Sequence, residues 1–160
     1  MNQESMIRRF WRSYLDTLPE DSHRPPLPEA WSFGDTPALA DELAELVLSG
    51  TKTATSSALW EYEADGESLP AEGALSIVLD GRGEPRCVLE TVEVRIRPFQ
   101  QVDADFAFQE GEGDRSLSYW REAHRRFFGR TLPRIGRAFR EDMPLVCERF
   151  RVVHVGSRVA

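Results

Sequence analysis

The strongest constraint on the fold is a helix over residues 36–50 that begins and ends with its own capping signals. Thr36 suits the N-cap position, Pro37 suits the first helical position, and Gly50 stands where a helix ends. Apolar side chains recur between them at helical spacing, at Leu39, Leu43, Leu46 and Val47. This pattern predicts an amphipathic helix that buries one stripe of side chains.

The remaining periodic segments predict strands and two further helices. Residues 5–18 repeat apolar side chains every three or four positions, and residues 115–129 do so behind Asp114, a suitable helix cap. Residues 74–80 and 144–156 are strand-like. Residues 86–99 are a long strand or a bent pair, and their alternation slips near Leu89, which predicts a bulge. Residues 58–73 and 106–114 are polar, loop-like segments. This order predicts an α+β domain with five or six strands, three helices and a small antiparallel β-barrel.

Length and composition favour one domain inside a cell. The 160 residues are 41% hydrophobic, which is enough apolar mass for one core. Residues 1–30 are predicted to be a helix and a proline-rich connector packed on a domain of residues 31–160. The N-terminus has no signal-peptide pattern, and no apolar run approaches the length of a membrane span. Cys87 and Cys147 lack metal or redox-motif spacing, so we expect buried free thiols and a cytoplasmic location.

The charge distribution has two interpretations. A net charge of -7 excludes a chain that adheres to nucleic acid through overall charge, but a local basic groove is still compatible with it. Residues 115–140 contain eight arginines: Arg115, Arg121, Arg125, Arg126, Arg130, Arg134, Arg137 and Arg140. They would either face the phosphates of an RNA or form a solvated helix face paired with nearby acids.

The segment GTKTATSS, residues 50–57, carries the first candidate chemistry. Lys52 lies where the helix gives way to a strand, and Thr53, Thr55, Ser56 and Ser57 supply hydroxyl groups beside it. A lysine whose pKa is lowered by burial can take a proton or activate a hydroxyl. In a regular strand Lys52 and Thr55 would face opposite sides, so a shared site requires Lys52 to stay in the turn. The alternative is an ordinary polar strand.

Two other groups of residues could line a site. EGEGD, residues 110–114, places three acids beside two glycines, which suits a site or a cation, although it does not match a calcium-binding loop. A solvated loop is the alternative. Trp31, Phe33, Trp60 and Tyr62 could stack on a base or pack in the core. His124 lies among aromatic residues of its helix and is interpreted as structural.

Together these motifs resemble the ASCH domain family. The resemblance rests on WSFGD at 31–35, LVLSGTKTATSS at 46–57, EGEGDRSLSYWR at 110–121 and PLVCERF at 144–150, and it spans roughly residues 30–155. It implies a PUA-like β-barrel with helices around a cleft, and a link to RNA. Some small members look like amidohydrolases that deacetylate N4-acetylcytidine, and others are similar to nucleases of single-stranded RNA. Their amidohydrolase pattern implies Lys52, Thr55 and Glu110 as catalytic residues here, with Glu112 as the competing acid.

The resemblance also implies a mechanism and a substrate. Lys52, with a pKa near neutrality, would take the proton of Thr55 or activate water, and Glu110 would orient Lys52 or protonate the leaving amine. Single-stranded RNA or a modified nucleoside is the expected partner. The expected substrate-binding residues are Trp31, Phe33, Gly34, Ser56, Ser57, Trp60, Tyr62, Glu112, Asp114, Arg115 and Ser116.

Three matters stay open at this point. The sequence indicates no certain cofactor, but Glu110, Glu112 and Asp114 could hold a divalent metal. The chain departs from the small amidohydrolases at Ser57, in a longer segment over residues 58–72 and in its N-terminal helix. A non-catalytic RNA-binding module and a small-molecule or protein interaction domain are the competing functions, and the sequence does not address the oligomeric state.

Overall fold

The computed structural model describes residues 1–156 and has the expected α+β architecture. The helices within these residues are α1 (Gln3–Leu15), α2 (Pro37–Leu48), α3 (Leu59–Asp65), α4 (Ala104–Glu110) and α5 (Leu117–Thr131). The strands are β1 (Ala30–Trp31), β2 (Ala54–Ala58), β3 (Leu75–Leu79), β4 (Pro85–Pro98) and β5 (Pro144–Val155). They form one mixed sheet in the order β1-β3-β4-β5-β2.

The sheet is built around the long antiparallel pair of β4 and β5. Its register runs from Cys87 opposite Val155 to Pro98 opposite Pro144. The register shifts between Val88 and Leu89 and again between residues 91 and 93, so the bulge expected near Leu89 is confirmed. Bulges increase local twist, and the sheet can therefore curve around the helices that cover it.

The sheet does not close into the barrel that the sequence analysis expected. Within residues 1–156, β1 pairs only with β3 and β2 pairs only with β5, so these two strands are the free edges. β1 is just two residues long, and the chain turns after Trp31 through residues 32–36 into α2. Such a short strand has too few backbone groups to bridge the gap to β2.

Helix capping follows the sequence in most places. Thr36 caps α2 as predicted, since its side chain accepts a hydrogen bond from the backbone nitrogen of Leu39. Helix α5 is capped by Ser116 rather than Asp114, whose carboxylate instead accepts a hydrogen bond from the Ser116 backbone nitrogen. Helices α3 and α4 lie in segments that we had assigned to loops, because each has only seven residues and shows little periodicity.

The core consists of three apolar clusters on the sheet. One joins α4 and α5 to β2 and β5, one joins α2 to β3 and β4, and the third lies under α1, where Trp11 and Tyr14 pack on Ile77 and Val88. The expectation that the N-terminal helix packs on the rest of the chain is met, while the boundary at residue 30 stays a prediction. Both cysteines are buried and free, as predicted. In the described part of the chain no helix combines the length and apolarity needed to cross a membrane.

Candidate active site

Lys52 lies in the turn between α2 and β2 and points into the protein. Its backbone nitrogen donates to the Leu46 carbonyl oxygen, and the strand begins only at Ala54, so Lys52 stays outside the strand as a shared site requires. It is the only lysine of the chain, and 1% of it is exposed. Its Nζ lies 3.2 Å from Oε1 of Glu110 and 3.2 Å from Oε2 of Glu112. From the sequence, Glu110 and Glu112 were alternative candidates for the functional acid. The structure places both beside the Lys52 ammonium group.

Glu110, the last residue of α4, is the most enclosed acid of the site. Its Oε1 accepts from Lys52, while its Oε2 accepts from Ser56 Oγ at 2.7 Å and from the indole nitrogen of Trp120. His124 Nε2 lies 3.5 Å from the same Oε2. A buried carboxylate is stable only when its oxygens are hydrogen-bonded or paired with a cation, and here both oxygens are.

Glycine and arginine hold the two segments of the site together. Gly111 ends α4 with a φ of 75°, and a Cβ there would stand 2.4 Å from the Thr51 carbonyl oxygen. This close approach requires glycine and lets the end of α4 pass against the turn that carries Lys52. Arg115 donates to the carbonyl oxygens of Phe108 and Thr51, so it binds the same two segments rather than a ligand.

The electrostatics of this cluster correct one expectation. Burial alone would lower the pKa of Lys52, but the charges of Glu110 and Glu112 outweigh it, and the net direction of the Lys52 pKa is upward. Burial likewise would raise the pKa of Glu110, yet Lys52 and His124 hold the pKa of that carboxyl well below its usual range. Lys52 is therefore a cation, and the near-neutral lysine inferred from the resemblance was wrong.

A metal ion would compete with Lys52. Ligand atoms of Glu110, Glu112 and His124 lie within 4.8 Å of one another. The Lys52 ammonium is within hydrogen-bonding distance of both carboxylates, so a divalent cation there would meet a like charge. Asp114, the third acid of the possible metal site in the sequence, is exposed and lies outside this group.

Two adjoining cavities open beside the cluster. The lysine cavity, of about 230 Å³, is lined by Lys52, Thr55, Ser56, Glu110, Glu112 and His124, together with apolar side chains and two arginines of α5. The edge cavity, of about 580 Å³, lies between the free strands β1 and β2. The two share five lining residues: Phe33, Gly34, Thr55, Ser56 and Phe127. The gap that leaves the sheet open is therefore the space beside the lysine.

The edge cavity is lined by acidic and aromatic side chains. Its acids are Glu29, Glu61, Asp65, Glu67 and Glu148, and none of its lining residues is lysine, arginine or histidine. Burial raises the pKa values of Glu61 and Glu148, and it also raises the pKa of Tyr62. The rings of Trp31 and Phe33 meet edge to face, with centroids 4.7 Å apart.

The structure brings most of the expected site residues together. Besides the lysine cluster, Thr55, Ser56, Phe33 and Gly34 line both cavities, and Trp31, Ser57 and Tyr62 line the edge cavity. Four expected residues lie elsewhere. Trp60 is half-buried against the core with Arg137 over its ring, and Arg115 donates to backbone carbonyl oxygens. Ser116 caps α5, and Asp114 accepts a hydrogen bond from the Ser116 backbone nitrogen.

His124 and Trp120 were missed as members of the site. Both lie on the inner face of α5, four residues apart, and His124 had been interpreted as structural. The sequence showed only that His124 lies on the buried face of a helix. This does not indicate that an acidic residue from another helix contacts it. Only the fold brings Glu110 to these two side chains.

Half of the arginines of residues 115–140 are paired with nearby acids, which the second interpretation had expected of the whole group. Arg125 pairs with Glu141, Arg126 with Glu122, Arg130 with Asp35 and Arg140 with Asp142. Arg115 and Arg137 lie over the rings of Phe108 and Trp60. Four of the eight arginines are thus paired with acids, and two of the others lie over aromatic rings.

Comparisons with known proteins agree with this architecture. A family model of the ASCH domain matches residues 29–154. A solved structure from Enterococcus faecalis V583 is 38% identical with a TM-score of 0.85, covering 95% of this chain and 90% of that one. An ASCH domain from Lactobacillus crispatus JV V101 is 37% identical with a TM-score of 0.87, covering 94% and 95% respectively.

A more distant structure shares the fold alone. The ASCH protein of Zymomonas mobilis is 12% identical with a TM-score of 0.51, over 80% of this chain and 73% of that one. Comparison with functionally curated proteins gives no match.

Proposed function

The chain belongs to the ASCH domain family, and from this premise we propose that it hydrolyses the amide bond of an N4-acylated cytidine, such as N4-acetylcytidine, in the lysine cavity. The observation that carries the proposal is a buried ammonium group held between two carboxylates, on the wall of a cavity that adjoins a larger one. Buried charged groups whose pKa values are displaced by specific partners are typical of catalytic sites.

The edge cavity supports a nucleoside as the ligand. Its volume of about 580 Å³ lies within the range of small-molecule sites. The aromatic pair of Trp31 and Phe33 offers ring surfaces for a base, and the carboxylates can accept hydrogen bonds from ribose hydroxyls.

The same charges disfavour an RNA strand. Phosphates would enter a cavity with five carboxylates and no basic lining residue, and half of the arginines of residues 115–140 are already paired with acids. For this reason the proposal takes a free nucleoside as substrate and not single-stranded RNA.

The chemistry follows from the charge states of the cluster. Lys52 is a cation, so the proton transfer falls to Glu112, the less enclosed of the two acids with 19% of its side chain exposed. Glu112 takes a proton from water as the resulting hydroxide adds to the acyl carbonyl, and Lys52 stabilises the negative charge that develops on the carbonyl oxygen. The carbon–nitrogen bond then breaks, and Glu112 returns its proton to the leaving nitrogen. The products are acetic acid and cytidine.

The remaining residues position these groups. Glu110, whose oxygens are already engaged, holds Lys52 in place instead of protonating the leaving amine. Thr55 offers its hydroxyl to the substrate from the cavity wall. It is not the nucleophile, because Lys52 has no lone pair with which to take its proton.

The test is hydrolysis of N4-acetylcytidine, followed by chromatography of cytidine and acetate. We expect turnover by the wild type and a loss of at least about 100-fold in Lys52→Ala and Glu112→Gln, since removing one donor to a developing oxyanion costs about that much. The matched control is Thr53→Ala, which removes an exposed hydroxyl two residues from Thr55 and keeps activity. Glu112→Gln is the milder variant, because it leaves the buried pair of Lys52 and Glu110 intact.

Other results would identify a different function. Cleavage of single-stranded RNA by the wild type, lost in Glu112→Gln, would make the protein a ribonuclease. Ligand binding without turnover, weakened by Lys52→Ala, would favour a non-catalytic binding module. If the folded wild type releases no acetate, the amidohydrolase proposal is refuted.

A further inference from the structure

We propose that His124 is a positioning residue of this site, and that its imidazolium form fixes the Glu110 carboxylate so that Lys52 stays between the two glutamates. The effect on turnover rests on the function proposed above. The effect on the position of Lys52 does not, and it can be measured without a substrate.

The geometry around His124 favours the protonated ring. His124 Nδ1 lies 2.8 Å from the Trp120 carbonyl oxygen, which can only accept, so Nδ1 carries a hydrogen. Nε2 lies 3.5 Å from Oε2 of Glu110. In a neutral ring this nitrogen would direct its lone pair at a carboxylate, whereas in the imidazolium it directs a proton there.

The ring has little freedom to leave this position. It stacks on the Trp120 ring with centroids 4.2 Å apart and an interplanar angle of 20°, and its other neighbour on the helix is Phe128 at 6.0 Å. Only 7% of His124 is exposed. Trp120 and His124 thus form one unit, which places the indole nitrogen and His124 Nε2 beside the same oxygen of Glu110.

The charged surroundings of His124 come from three elements. Glu110 at the end of α4 and Glu112 in the loop after it are negative, and Lys52 in the turn before β2 is positive. On α5 itself, Arg126 and Arg130 line the same cavity, but Arg126 pairs with Glu122 and Arg130 pairs with Asp35. The charges nearest the ring are therefore those of the two glutamates and Lys52.

These surroundings set the direction of the pH dependence. Burial alone would lower the pKa of His124, but Glu110 and then Glu112 outweigh it, so the pKa lies above the usual 6.5. The imidazolium is present below this pKa and is lost as the pH rises through it. Turnover should therefore fall on the alkaline side at a pH set by His124, while Lys52 is still charged.

The single lysine makes a direct test feasible. Protein labelled with ¹³C at lysine Cε gives one NMR signal, from Lys52, and the ring signals of the three histidines are followed alongside it. We expect one histidine to titrate above 6.5, and the Lys52 signal to shift over the same pH interval while it keeps the chemical shift of an ammonium group.

Two variants show which histidine is responsible. His124→Gln keeps a donor but cannot ionise, so the step in the Lys52 signal should vanish. His154→Gln is the matched control, because His154 lies beside Phe10, Ser13 and Tyr14, away from the cluster, and the step should persist. If His124→Gln fails to fold, the wild-type titration still decides. A Lys52 signal indifferent to histidine titration, or a His124 pKa at or below 6.5, overturns the proposal.

A kinetic test separates positioning from simple packing. With N4-acetylcytidine, His124→Gln should lower kcat about tenfold with little change in KM, and the alkaline limb should move to higher pH. An unchanged alkaline limb would contradict the proposal. Absence of turnover in the wild type would refute the proposed function. The NMR titration would still decide whether His124 fixes the position of Lys52.

Discussion

The lysine cavity and the edge cavity adjoin one another but balance their charges in different ways. In the lysine cavity Lys52 Nζ lies 3.2 Å from each of the two acids, Glu110 and Glu112, and His124 Nε2 lies 3.5 Å from Glu110. In the edge cavity five acids line the wall and no lining residue is basic. One cavity therefore contains its own counter-charges, and the other has none among its lining residues.

This difference separates chemistry from selection. A compensated cluster can remain buried and fixed, which is what a reacting group needs. Acids without a basic partner must stay hydrated or meet hydrogen-bond donors brought by a ligand, and they repel anions in the meantime. We infer that the lysine cavity performs the reaction while the edge cavity decides which molecules reach it.

The largest expected effect comes from breaking the compensation at Lys52. Lys52→Ala leaves the Glu110 charge buried without its main partner and should lower the free energy of unfolding by about 3–5 kcal/mol in urea titrations. Lys52→Met combined with Glu110→Gln removes both charges and should recover most of that loss. If Lys52→Ala costs no more than a change to an edge-cavity acid, the contrast between the cavities is wrong.

The next effect concerns Gly34, which lines both cavities and has a φ of 78°. A Cβ there would stand 2.6 Å from Cγ of Leu39, so Gly34→Ala should cost about 2–3 kcal/mol through backbone strain and the clash together. Gly50→Ala is the matched control. Its φ is 79° with open space around it, and it should cost only about 1–2 kcal/mol, as measured by thermal unfolding. If the two variants lose equal amounts of stability, the Leu39 side chain moves away from an added Cβ at little cost in free energy.

The sequence predicted the parts of this comparison that depend on local pattern. Periodicity and turn residues predicted the capped helix of residues 36–50 and the bulged strand near Leu89, and residue spacing predicted the free cysteines. The structure confirms these three predictions. The position of Lys52 in the turn was also accessible, because a helix stop and a strand start leave only a few residues between them.

What failed depends on contacts between distant segments. We expected a lowered pKa for Lys52 because we considered only its burial. The charges of Glu110 and Glu112, which raise that pKa, belong to residues about sixty positions away in the sequence. His124 was assigned to packing for the same reason. The open sheet could not be predicted either. A barrel closes only if its two edge strands pair with each other, and the sequences of β1 and β2 do not indicate whether they pair.

A charge on the ligand should distinguish the cavities by a moderate amount. Adding a 5′-phosphate to N4-acetylcytidine should weaken binding at least about tenfold, roughly 1.4 kcal/mol, because the phosphate faces the acids of the edge cavity. Calorimetry on Glu112→Gln, which binds without turnover, measures both ligands. Raising the salt concentration should reduce the difference in affinity between the nucleoside and the nucleotide. Combining Glu61→Gln with Glu148→Gln should also reduce this difference. A nucleotide that binds as well as the nucleoside would show that the edge cavity does not select by charge.

The smallest expected effect is a difference in how the two cavities respond to pH. Burial raises the pKa of Glu148 above 4.5, so the stability it contributes as a neutral acid is present below that pH and is lost as the pH rises through the folded-state pKa. Glu110 behaves in the opposite way: its pKa is lowered, and its contribution is present above 4.5 and lost as the pH falls. Glu148→Gln should therefore raise stability by about 0.5–1 kcal/mol near neutral pH and have no effect near pH 4.

Thermal unfolding at both pH values measures this difference. The control Glu72→Gln removes the same formal charge at an exposed position and should change little at either pH. Stabilisation by Glu148→Gln at both pH values would trace the effect to packing. Stabilisation at neutral pH alone would show that the ionised acid of the edge cavity costs stability, as the absence of basic lining residues there implies.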